Sequence, residues 1–70
     1  MDTLDLHGVR HHKVELVVEN FILLNDPPLK IITGNSPAMQ SIVFRLVEKH
    51  DYSWAYESDF NLGAIVINAS

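Results

Sequence analysis

Leu29-Lys30-Ile31-Ile32-Thr33-Gly34-Asn35-Ser36-Pro37 reads as a strand running straight into the start of a helix. Leu29 to Thr33 is short, β-branched and mostly apolar, as a central strand is. Ser36 then suits an N-cap, and Pro37 suits the first helical position, where its missing N–H costs nothing.

Working outward towards the start, Asn25-Asp26-Pro27-Pro28 must end a preceding helix, because two prolines cannot continue one and they bias Asp26 to extended geometry. From about His11 the apolar positions Val14, Val17, Val18, Phe21, Ile22 and Leu24 recur at three- and four-residue steps. That spacing predicts a helix with Glu15 and Glu19 outside. Earlier still, Leu4 to His7 reads as a strand with Leu4 and Leu6 on one face and Asp5 and His7 on the other. Gly8 follows as a turn residue that takes positive φ without penalty.

Towards the end, the second helix is expected to reach about His50, with Met39, Ile42, Val43, Leu46 and Val47 inside and Arg45, Glu48 and Lys49 outside. Tyr52, Trp54 and Tyr56 alternate with Ser53, Ala55 and Glu57 as a third strand. That aromatic row is either core or a platform for stacking bases, with core expected for most of it. Ser58-Asp59-Phe60-Asn61-Leu62-Gly63 is expected to turn, and Ala64 to Asn68 to close as a strand. The predicted fold is an α/β (α+β) two-layer sandwich of order βαβαββ. Right-handed crossovers place both helices on one face of a mixed four-stranded sheet.

Residues 1–70 make a single small domain, near the size at which one core is only marginally stabilising. An apolar content of 47% is too high for a disordered chain. The absence of cysteine removes disulfides and thiolate chemistry. Val14–Leu24 is broken by Glu15, Glu19 and Asn20, so it is not a membrane span, and Met1-Asp2-Thr3 has no secretion-signal character. A soluble, cytoplasmic protein without membrane contact is expected. The net charge of −4 opposes strong non-specific nucleic-acid binding, yet Arg10-His11-His12-Lys13 forms a local basic run close to His7.

Leu4-Asp5-Leu6-His7-Gly8 in the opening strand, Ile32-Thr33-Gly34 at the end of the second, and Gly63-Ala64-Ile65-Val66-Ile67 at the close stand in an order and spacing that resembles the Smr (small MutS-related) domain. The resemblance spans Leu4 to about Ile67 and makes this chain similar to a free-standing member of that family. It implies a two-layer α/β fold with nucleic-acid-binding or endonuclease activity on RNA or DNA. It also ties Asp5 and His7 to cleavage, and Thr33, Gly34, Asn35 and Ser36 to nucleic-acid contact. The chain departs from the family pattern in that loop, with Asn35 where a cation is usual and Ser36 where a second glycine is usual. Phe60-Asn61-Leu62-Gly63-Ala64 likewise stands where the family has Gly-Gly-x-Gly-Ala. Side chains now occupy positions where hydrogen alone was tolerated, which opposes close approach of a phosphate.

His7 is the candidate proton-transfer residue, since imidazoles change charge near neutrality. Asp5 would orient it or help hold a divalent cation such as Mg²⁺. The alternative is that His7 caps the strand and fixes the turn through backbone hydrogen bonds. Arg10, His11, His12 and Lys13 oppose the helix macrodipole unless a phosphate meets both them and the free N–H groups; otherwise the helix begins only at Lys13 or Val14. Gly34, Asn35 and Ser36 are further phosphate candidates at the second helix start, where Ser36 also suits a pure cap. Adjacent histidines point about 100° apart on a helix, and no cysteine completes a zinc set. A second class of function, a non-catalytic interaction module with a protein or nucleic-acid partner, is favoured by the acidic balance and the missing loop cation. Simple self-association is a third.

Overall fold

The sheet order β1-β2-β4-β3 follows from how the strands pair in the computed structural model, which describes residues 1–69. The elements are β1 (Asp2–Asp5), α1 (His11–Leu24), β2 (Leu29–Ile32), α2 (Pro37–Lys49), β3 (Tyr52–Ser58) and β4 (Asn61–Ala69). β1 pairs parallel to β2, while β4 lies antiparallel to both β2 and β3, so β1, β2 and β3 run the same way. The crossovers through α1 and α2 therefore step in one direction across the sheet. Two right-handed steps in one direction put both helices on the same face. This is the expected βαβαββ two-layer fold.

Burial identifies the covered face. Leu29 and Ile31 on β2, and Ile65 and Ile67 on β4, are wholly buried, whereas Lys30, Ile32 and Val66 between them are half-exposed. Val14, Val18 and Ile22 descend the inner face of α1 at four-residue steps, and Met39, Val43, Leu46 and Val47 line that of α2 at three- and four-residue spacings. Leu6 completes the core just beyond β1. Each such side chain contributes about 1.5–3 kcal/mol by leaving water. No described helix is long and apolar enough to cross a membrane.

Some expectations shift. Leu24 is 81% exposed, because two residues past Ile22 is about 200° around a helix and so on its outer side. β1 stops at Asp5, so His7 lies outside the strand. The aromatic row of β3 faces the helices. Trp54 stacks on Phe44 of α2 with ring centroids 3.7 Å apart, and its Nε1–H donates to Glu48 Oε2 at 3.1 Å. Tyr52 is half-buried beside it, and Tyr56 meets both rings edge-on. The closing turn is only Asp59-Phe60, and β4 begins at Asn61. Side chains tighten it: Ser58 Oγ accepts from the Phe60 and Asn61 N–H groups, and Asn61 Oδ1 accepts from Gly63 N–H.

Candidate functional site

Because β1, β2 and β3 run the same way, their carboxyl ends share one edge of the sheet, where the loops before α1, α2 and β4 gather. Backbone hydrogen bonds join those loops. Leu6 N–H donates to Ile32 O at 3.0 Å, and the Thr33 and Gly34 N–H groups both donate to Gly63 O, at 2.8 and 2.9 Å. The segments Leu4–Gly8, Ile32–Gly34 and the one opening at Gly63, distant in the chain, thus stand side by side.

At the β1 end, the chain leaves the sheet through two linked turns. Asp5 Oδ1 accepts from His7 N–H at 2.9 Å, an Asx turn. Val9 N–H then donates to Leu6 O at 3.1 Å, closing a second turn whose third residue, Gly8, has the φ of +78° that a type II turn requires. The same Asp5 oxygen lies 2.9 Å from His7 Nδ1. With a carboxylate as acceptor, Nδ1 is the donor, which selects the tautomer and leaves Nε2 without a hydrogen-bond partner among the described residues. The His7 side chain is 76% exposed. The backbone N–H of His7, and after it the ring, hold the Asp5 carboxyl below its ordinary value of 3.8. Asp5 and His7 therefore do meet, through a turn and not along a strand face.

α1 begins at His11, so the basic residues do stand in its first turn and the later start is excluded. Arg10 is the N-cap in extended conformation and offers no side-chain cap, and the first turn holds no acidic residue. Lys13 N–H turns back to Arg10 O at 2.8 Å. Arg10, His11, His12 and Lys13 are all exposed. A helix start whose N–H groups lack a side-chain acceptor, flanked by the cations Arg10 and Lys13, is suited to an anion.

The loop before α2 is differently disposed. Gly34, with φ of +70°, uses its N–H on Gly63 O, and Ser36 Oγ accepts from Met39 N–H at 3.2 Å as an N-cap. Asn35 is exposed, and a Cβ on Gly63 would come to 3.4 Å from its Oδ1. Gln40, which no sequence motif singles out, organises this loop: its Nε2 donates to Gly34 O and to Leu62 O, each at 2.9 Å. Leu62 is 22 residues away, so no local pattern marks the role. Among the described residues no three His, Asp or Glu side chains form a metal-holding group. The Mg²⁺ contact expected of Asp5 would have this one carboxylate to offer.

Comparison with protein-family models, with curated proteins and with solved structures finds no match.

Proposed function

We propose that this chain is an Smr-like nucleic-acid-binding domain whose carboxyl edge holds the phosphate backbone of RNA or DNA and whose Asp5–His7 pair cleaves it. One observation carries the reading: a carboxylate-oriented imidazole sits in the same short loop that opens into an uncapped, cationic helix start. With Nδ1–H held by Asp5, Nε2 takes the proton of an attacking 2′-hydroxyl or water as that oxygen bonds to phosphorus and the bond from phosphorus to the leaving oxygen breaks. The leaving oxygen takes a proton from solvent, and the imidazolium returns its own to solvent. Arg10, His11, His12 and Lys13 would hold the flanking phosphates. Gly34 and Ser36 have their N–H and hydroxyl engaged inside the fold, so Asn35 is that loop's remaining polar contact.

The same engagement favours a second reading, a module that binds without cutting. Labelled single-stranded RNA and branched DNA, incubated with wild type and His7→Ala in Mg²⁺ and in chelator, separate the two. Cleavage by wild type that falls about a hundredfold or more in the variant supports the enzyme. Equal cleavage by both removes His7 from the chemistry. Salt-sensitive retention without cleavage supports the binding module.

A further inference from the structure

We propose that Phe60 is the platform on which one unpaired base stacks, so that this edge takes single-stranded nucleic acid; the proposal rests on the phosphate-binding reading above and names its substrate class. Phe60 is 100% exposed, an aromatic ring that adds nothing to the core. Its backbone is nevertheless held on both sides. Ser58 Oγ accepts from Phe60 N–H and Asn61 N–H, Asn61 Oδ1 accepts from Gly63 N–H, and Gln40 ties Leu62 O to Gly34 O. A tip braced in this way presents its ring to solvent at a defined place.

That place is on the active edge. β3 lies three strand positions from β1, about 14 Å across the sheet. Phe60 lies four residues before Ala64, which is level with Ile32 and Asp5, and so about 13 Å further along the strand direction. The combined span of roughly 19 Å is the length of about six stacked nucleotides. The cations lie at the α1 end, while Asp59 stands beside Phe60 at the other. The complementary ligand is therefore anionic at one end of this span and presents a planar apolar face at the other. A single strand with its phosphates on α1 and a base on Phe60 has that character, whereas a duplex keeps its base faces stacked.

The test is fluorescence anisotropy with a short fluorescein-labelled oligonucleotide, single-stranded and annealed to its complement, at low and raised salt. Phe60→Ala should weaken single-strand binding roughly five- to a hundredfold, leave duplex binding unchanged and leave the circular dichroism spectrum intact, while Phe60→Tyr binds like wild type. If Phe60→Ala binds the single strand as wild type does, with the salt dependence retained, the stacking role is wrong and the phosphate reading stands. If wild type binds neither form at low salt, both fall. If the variant loses only self-association in sedimentation, the ring joins copies of this chain and the stacking proposal is overturned.

Discussion

At the residue scale, the Asp5–His7 pair exists because one carboxylate oxygen serves two donors two residues away, a backbone N–H and a ring N–H. Both bonds favour the ionised carboxylate, so the folded pKa lies below the ordinary 3.8. A depressed carboxyl contributes stability that is complete above its unfolded value and disappears as pH falls through the lower folded one. Carbon-13 NMR of the Asp5 carboxyl should therefore show a midpoint below 3.8, with the His7 amide proton moving in step. A midpoint at or above the ordinary value would mean that the Asx turn is not formed. Asp5 and His7 could be picked out from their two-residue spacing. Their route together could not, because a strand and an Asx turn both allow that spacing, and only the end of β1–β2 pairing at Asp5 selects the turn.

At the element scale, α1 carries a conflict that α2 does not. α2 has Ser36 as an accepting cap and Pro37 behind it, with Lys49 in its last turn. α1 has Arg10 at the cap, with no accepting side chain and no acid nearby. A serine at the cap accepts an N–H that arginine cannot, worth about 1 kcal/mol. Arg10→Ser should accordingly raise the melting temperature by roughly 4–8 °C, while weakening the proposed nucleic-acid binding and lowering its salt slope by about one. Stability without loss of affinity would show that the helix start does not meet phosphate. β3 shows how an element is legible in kind but not in orientation. The alternation of Tyr52, Trp54 and Tyr56 predicts a strand, whereas the stacking of Trp54 on Phe44 determines which side those rings face.

At the scale of the whole molecule, the net charge of −4 is unevenly spread. Asp2 opens β1, Asp26 precedes β2 and Asp51 precedes β3, so these acids collect at the amino ends of the strands, whereas the carboxyl edge bears Arg10 and Lys13 together with Asp5 and Asp59. A domain of this length holds only about 0.05–0.15 kcal/mol of stability per residue. Ile31, wholly buried in β2, is packed against the core, and Ile31→Ala should cost about 2–5 kcal/mol. The variant should melt at least about 10 °C lower or fail to fold, whereas Ile31→Val, at roughly 0.5–1.5 kcal/mol, should fold; equal melting of Ile31→Ala and wild type would place Ile31 outside the core. The sequence by itself determined the order of elements, the helix inner faces and the cap at Ser36, because periodicity and capping act within a few neighbouring residues. Only the tertiary structure decided that Gln40 bridges Gly34 and Leu62, that the β3–β4 turn is two residues long with Phe60 at its tip, and that the Gly34 N–H is engaged while the α1 start has no side-chain cap. Those outcomes depend on which distant backbone groups the packed sheet brings within hydrogen-bonding reach, and no local pattern encodes that.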